Sequence, residues 1–575
     1  MHSTARNPTR LFFLSLAMTG ALALFGACSP GAETAAEVDL VAAAPQAAEV
    51  ITEEVLKPPI AYLSDDALQG RGPGSEGDTA TRQYLIQQLG AMGYQPGAAD
   101  GGWEQPFDIL GITTTAPETW NFVAGNRSLS LNFWDDFIAG SGVQEAAVAV
   151  ADAEVVFVGY GIEAPEYGWD DYKGADLTGK VLLMLNNDPD WDPALFEGNR
   201  RLYYGRWTYK YESAAAQGAA GAIIIHTTPS AGYPFQVVQT SWTGPQFELP
   251  AGDEARVQVA AWVSEDAAER LVSFAGENLA ELTERARSRE FEPVPLAVTT
   301  SIELTNELES TQTANVLAVL PGRDPELADE ALVFSAHHDH LGVGKADAEG
   351  DTVYNGAFDN ASGCSQLLAI ARAFRELPEA PRRSLLFAFV AAEEQGLLGS
   401  AFFARNPTFP PGKIAANINY DGANIWGRTR DIGFIGYGKS SLDEVVEKYA
   451  GEQGRVVKAD QFPDRGFFYR SDQFNFAKIG VPAIYFDSGT EFIGQPEGWG
   501  EEQIKAWESV QYHQPSDELE DDWNFEGMIE DARLGFRAAV EIAEANRMPT
   551  WNPGDEFEAA RLAALENASS AEGSE

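Results

Sequence analysis

From residue 331 onward, short and almost wholly apolar runs alternate with longer amphipathic ones. "ALVFSAH" at 331–337 precedes "CSQLLAIARAFREL" at 364–377, whose apolar positions recur at helical spacing, and "SLLFAFVAA", "AANINYD", "LDEVVEKYA" and "GVPAIYF" continue the alternation. Strands without a polar face must be covered on both sides, and the intervening helices supply that cover. The pattern predicts an α/β fold with a mixed, mostly parallel sheet sandwiched by helices. Near the start, "ITEEVLKPPIAYL" and "TATRQYLIQQLGAMGY" also carry helical spacing, with Gly93 as the stop.

Residues 143–295 have a different texture. Short β-rich runs such as "AEVVFVGYGI" and "GKVLLMLNN", broken by the helical "YESAAAQGAAG", predict a β-rich domain inserted into the first one. Residues 51–142 and 296–548 then form the two parts of the split domain. A chain of 575 residues exceeds what one hydrophobic core usually supports, which agrees with two domains. Residues 29–50, rich in Ala, Glu and Pro without a period, predict a flexible tether, and acidic residues 549–575 a disordered tail.

Charge and the N-terminus narrow the setting. The net charge of -48 repels phosphates and anionic lipid, so a nucleic-acid role is excluded and a solvated acidic surface is expected. Arg6 and Arg10 precede an apolar run from Leu11 to Phe25, too short for a bilayer span and typical of a secretory leader over residues 1–28. The run ends in "LFGAC", which resembles the lipobox of bacterial lipoproteins. This implies a chain exported to the periplasm or cell surface and held to the membrane only through a lipid on Cys28. Cys364 is then the one remaining cysteine, so no intramolecular disulfide forms.

The chemistry gathers where the apolar runs end. In open α/β sheets ligands bind beyond the carboxyl ends of the strands. His337 and Asp339 follow the first run, Glu393 and Glu394 the second, and Asp421 the third. Asp359 lies in "GAFDNASG", and His513 in "YHQPSDEL". Three of the six histidines fall between positions 337 and 340. Imidazole and carboxylate donors without thiolates suit a catalytic rather than a structural zinc site. Two histidines and three carboxylates, one of them bridging, suffice for two ions, and Glu393 remains as a proton acceptor. His338 is expected to pack on the opposite face, His340 to form pocket wall or a hydrogen bond, and Cys364 to be a buried residue at a helix start.

These stretches, "AHHDHLG", "GAFDNASG", "AAEEQGLLGS", "NINYD", "SDQFNFAKIGVPAIYF" and "YHQPSDE", together resemble peptidase family M28, the clan of zinc aminopeptidases and carboxypeptidases. The insert, with "GYGIEAPEYGWDDYKGADLTGKVLLMLNNDP", resembles the protease-associated (PA) domain. The resemblance implies two Zn²⁺ ions per chain, with His337 and Asp421 on one, Glu394 and His513 on the other, and Asp359 bridging. It implies Asp339 orienting the His337 ring, Asp517 supporting His513, Glu393 as general base for a water held between the ions, and Tyr512 as donor to the oxyanion. The implied substrates are peptides. "GVPAIYF" is apolar where glutamate carboxypeptidases carry arginines, which favours an aminopeptidase, while Arg465 and Arg470 keep the carboxypeptidase alternative open. A single-zinc cyclase and a non-catalytic binding protein are the alternatives on the same fold. "YYGRWTYK" at 203–210 either faces the cleft or forms an interdomain aromatic patch.

Overall fold

Four parallel strands carry the site, and their sequences explain their placement. Numbering the strands used below in chain order, β1 is Glu104–Thr115, β2 Val294–Leu320, β3 Ala331–His337, β4 Ser384–Val390, β5 Ile414–Asn419, β6 Asp431–Ile435, β7 Val456–Ala459 and β8 Ala483–Asp487. The order β4–β3–β5–β8 is parallel throughout. β2 adds to β4 and β6 to β8 in antiparallel fashion, while β7 runs parallel to β6. Every residue of β3, β4 and β5 is buried. Their alternate side chains point to opposite faces. Leu332, Phe334, Phe387 and Phe389 meet helices Glu53–Leu63, Gly363–Arg375 and Glu526–Glu544, whereas Val333, Leu386 and Ala388 meet Phe403 and Phe476 of the other layer. The computed structural model describes residues 38–572, so the expected leader and Cys28 lie outside the described residues. Among the described residues, no helix is long and apolar enough to cross a membrane.

A long two-stranded ribbon connects this sheet to a second body. β1 pairs with residues 305–316 of β2 in antiparallel register. The first half of β2 alternates buried and exposed positions, and its end is buried on both faces. The second body holds the parallel strands Ala147–Phe157, Val181–Leu185, Gly221–His226 and Val259–Ser264. Its core also includes Trp120, Phe122, Leu131 and Phe137. Strands Thr119–Ala124, Arg127–Asn132 and Phe137–Ser141, expected in the first domain, therefore belong with this core, because β1 has already carried the chain across.

Two other expectations are corrected. Residues 40–47, expected as tether, form a helix capped by Asp39, and Leu40, Ala44, Ala47, Ala48 and Ile51 enter the main core. The apolar face is built largely of alanine, which hides the period in a composition that also suits a linker. Residues 549–572, expected as a disordered tail, bury Trp551 and Phe557 against Phe468, Tyr469 and Phe474 and end in helix Glu558–Glu572. Lys439 anchors the segment by pairing with Asp555 at 2.8 Å and Glu556 at 3.0 Å. Gly93 does end helix Glu76–Ala91, at φ +82, where a side chain would be strained.

Truncating a buried aromatic costs about 3–5 kcal/mol. Trp551→Ala is therefore expected to lower the thermal unfolding midpoint of the full chain, and a melt indistinguishable from wild type would return residues 549–572 to the status of a loose tail.

Candidate functional site

β4, β3 and β5 are parallel neighbours, so their carboxyl ends share one edge, and the loops leaving that edge converge. His337 is the last residue of β3, Glu393 and Glu394 follow β4, and Asp421 follows β5. Asp359 comes from the turn before helix Gly363–Arg375, and His513 from the loop after helix Trp499–Val510, at a left-handed φ of 56°. One oxygen of Asp359 lies 3.1 Å from His337 Nε2 and the other 3.3 Å from His513 Nε2. His337 Nε2 is also 3.1 Å from Asp421 Oδ1, and His513 Nε2 is 3.1 Å from Glu394 Oε2. The five expected ligands thus form two groups that share Asp359.

His340 belongs to the same cluster. Its Nδ1 lies 2.6 Å from Glu394 Oε1, and His340, Asp359 and Glu394 bring donor atoms within 4.8 Å of one another. Sequence reasoning assigned it to the pocket wall or a hydrogen bond, and its contact is with a ligand candidate. His338, by contrast, turns away and meets Asp78 at 3.2 Å.

Backbone amides and carbonyls hold these loops in place. Asp339 accepts from the amides of Glu393 and Glu394 at 3.2 and 3.4 Å and stands 3.8 Å from His337 Nδ1, beyond hydrogen-bond range. It fixes the Glu393–Glu394 turn more directly than it fixes the His337 ring. Asp517 requires a correction: its carboxylate accepts from the amides of Phe358 and Asp359 at 2.9 and 3.1 Å, so it supports the Asp359 turn rather than His513. The chain folds back after His513 and carries Asp517 under that turn. Arg71, buried, donates to the carbonyls of His338, Asn355 and Gly356 and ties both ligand-bearing loops to the N-terminal segment. Arg71 and Asp78 escaped the sequence reading because "QGRGPGSEGD" looks like an ordinary turn more than 250 residues from the site. Cys364 is buried with its sulfur 3.1 Å from the His337 carbonyl, and burial pushes its thiol up to about 12. It remains a thiol, as expected of a packing residue.

The electrostatics favour cations. Among the described residues no Lys or Arg is ion-paired with Asp359, Glu393, Glu394 or Asp421. Burial resists charge on the His513 ring, yet the Asp359 and Glu394 carboxylates raise it to about 10. Burial and Asp359 push Glu394 up, and His340 and His513 outweigh them and bring it to about 2. Burial raises Glu393 well above its usual range; His337 opposes this, and the Asp421 and Glu394 carboxylates add to it. His337 Nδ1 and His340 Nε2 are buried without a hydrogen-bond partner among the described residues. Oxygen and imidazole donors, orphaned buried atoms and unbalanced negative charge fit divalent ions, and the lack of thiolates suits a catalytic zinc site.

A cavity of about 430 Å³ opens onto this edge, lined by Glu393, Asp421, His513, Tyr512 and Tyr485 and, farther on, by Asp487. The Tyr512 ring, 41% exposed, stacks on His513 at 3.9 Å, and its partial enclosure together with the Asp359 and Glu394 carboxylates raises its hydroxyl, which stays protonated. Arg465 and Arg470 also line the cavity. No residue of 203–210 does. Tyr203 instead packs on Phe474 at 4.9 Å, and the Arg201 amide donates to the Pro463 carbonyl, so this aromatic stretch is an interdomain contact.

Residues 315–536 match the family model described as Peptidase family M28. Leupeptin-inactivating enzyme 1 of Streptomyces exfoliatus is 26% identical over 209 residues, 36% of this chain and 43% of that protein. Probable leucine aminopeptidase 2 of Trichophyton verrucosum is 25% identical over 298 residues, 50% of each chain. The chain thus spans half or less of these curated relatives. Among solved structures, an aminopeptidase from Aneurinibacillus sp. strain AM-1 covers 88% of this chain and 97% of its own, with 18% identity and a TM-score of 0.48.

Removing one partner of a buried ion pair costs about 3–5 kcal/mol, because the other is left uncompensated. Asp78 faces both His338 and Arg82. Asp78→Ala is expected to lower the thermal midpoint even with the metals chelated, which separates this support from metal binding; an unchanged midpoint would show that the pair contributes nothing.

Proposed function

The chain belongs to peptidase family M28 through residues 315–536, and from that premise we propose that it is a zinc-dependent exopeptidase, an aminopeptidase releasing N-terminal residues from peptides with Glu393 as general base. The observation that carries this reading is the division of Asp359 between His337 and His513, each of which has a further carboxylate 3.1 Å away. His337 and Asp421 would hold one ion, Glu394 and His513 the other, and Asp359 both. Bound there, zinc supplies a Lewis acid for the carbonyl and lowers the pKa of water.

The side chains do the remaining work. Glu393 lines the cavity and has no side-chain hydrogen bond or ion pair among the described residues, so its carboxylate is free to take a proton from the attacking water and return it to the departing amine. Tyr512 donates to the developing oxyanion, a role supported by its stacking on His513 and its protonated hydroxyl. Asp339 and Asp517 keep the Glu393–Glu394 and Asp359 turns from moving as charge develops. The names of the leucine aminopeptidase relatives support N-terminal selectivity. A carboxypeptidase is the second reading, because Arg465 and Arg470 line the cavity; Arg465 already lies 3.7 Å from Glu508 and stacks on Phe462. The proposal extends to export with lipidation of Cys28, motivated by "LFGAC", and to a protease-associated type of insert.

Metal content and amino-acid release from unblocked and N-acetylated peptides test the reading together. Two zinc ions per chain and cleavage of unblocked peptides alone are expected. One ion without release points to the cyclase chemistry, release from acetylated peptides to a carboxypeptidase, and failure to bind zinc to a binding protein. Glu393→Gln is expected to keep both ions and lose about 10²–10⁴-fold in kcat, the usual worth of a general base. Asp359→Ala should lose both ions and Asp421→Ala chiefly one.

A further inference from the structure

Asp487 sits away from the ligand cluster yet in the same cavity. It ends β8, two residues beyond Tyr485, whose hydroxyl donates to the Asp421 carbonyl at 3.3 Å. The two Cα atoms are therefore about 6.6 Å apart along the strand. Room for Asp487 is made by Gly433 opposite it in the neighbouring strand, where a Cβ would come within 3.0 Å of the Asp487 Cβ. The Asp487 carboxylate accepts only the amide of Ser488 and has no ion pair among the described residues. The other acids on this side of the cavity are engaged: Glu508 lies by Arg465, and Asp531 is bound by Arg455 at 2.6 Å. Of the two lining arginines, Arg465 stacks on Phe462 and Arg470 lies over Phe467.

Aromatic residues share this cavity lining with Asp487: Phe358, which packs on Trp507 at 4.2 Å, and Tyr485. A cavity that offers aromatic walls and an accessible, unpaired carboxylate matches a side chain that is apolar along its stem and cationic at its tip. We propose, on the aminopeptidase reading above, that this cavity receives the side chain of the substrate's N-terminal residue and that Asp487 selects lysine or arginine there. The surroundings reinforce the fit. Asp487 stays accessible to solvent at the cavity wall, the surrounding protein and the nearby Asp460, Glu508 and Asp531 carboxylates raise its carboxyl, and an incoming cation favours its charged form. A neutral side chain of equal length fills the same walls and leaves the acid without a partner.

The test compares kcat/KM of the zinc-loaded full chain on lysyl, arginyl, norleucyl and leucyl anilides. Norleucine keeps the four-carbon stem of lysine and lacks only its terminal ammonium group. Wild type is expected to favour lysine over norleucine by at least about tenfold, the worth of one good polar contact. In Asp487→Asn the ratio should collapse toward one, mainly through KM for lysine, and Asp487→Glu should retain the preference. Binding of lysinamide against norleucinamide, read by thermal shift on the same proteins, should follow the same order without turnover. Norleucine equal to or better than lysine in wild type would overturn the inference while leaving the aminopeptidase reading intact. So would an equal fall for all substrates in Asp487→Asn. Release from N-acetylated peptides alone would overturn both.

Discussion

Four carboxylates share the edge of one sheet with, among the described residues, no lysine or arginine paired to any of them, and much of the surrounding structure answers that crowding. Like charges brought close in a poorly solvated place repel strongly, so the chain must either protonate some of them, surround them with imidazoles or offer them to cations. It holds them without adding a balancing side-chain cation. Asp339 and Asp517, themselves acidic, do not face the ligand atoms; they turn toward backbone amides of the Glu393–Glu394 and Phe358–Asp359 turns. Arg71, the nearby buried cation, spends its donors on carbonyls. The negative charge of the cluster is thus left available.

The cavity depends on the second body as much as on the sheet. Residues 461–470 form one wall, and from outside that wall is braced by the Arg201 amide on the Pro463 carbonyl and by Tyr203 on Tyr469 and Phe474. The C-terminal segment completes the brace, since Glu556 accepts from the Tyr469 hydroxyl and pairs with Lys439. Three stretches distant in sequence therefore fix one loop. The β1–β2 ribbon makes this possible, because two strands continuous through both bodies hinder independent rotation in a way that a single linker would not.

The site was legible where chemistry and strand pattern coincided. His337, Glu393, Glu394 and Asp421 stand at the ends of apolar runs, and a parallel sheet brings such ends together whatever the loops do. Asp359 and His513 follow no strand end; they stood out only as ligand-type residues in a loop and a late segment, and the family resemblance supplied their roles. What escaped was support through backbone groups: a carboxylate accepting an amide, such as Asp517, carries no mark in sequence that separates it from one that braces an imidazole. Arg71 and Asp78 were hidden by distance along the chain. The helix at 40–47 was hidden by alanine, which packs well and stands out poorly. Asp487 was hidden because the strand that ends in it reads as apolar up to its last residue.

The division of labour between ligands and supports bears on how the site fills. The contacts of Asp339, Asp517 and Arg71 join backbone to side chain and leave the ligand atoms of His337, Asp359, Glu394 and Asp421 uncommitted to the scaffold. Against the effect of burial, the Asp359 and Glu394 carboxylates also raise the His513 ring to about 10. An ion held by these donors would displace their protons, so its binding would strengthen as pH rises. What separates Asp487 from the cluster is the ligand each suits: several converging donors suit a metal ion, while a single unpaired carboxylate in a cavity lined by Phe358, Trp507 and Tyr485 suits an ammonium or guanidinium on an apolar stem.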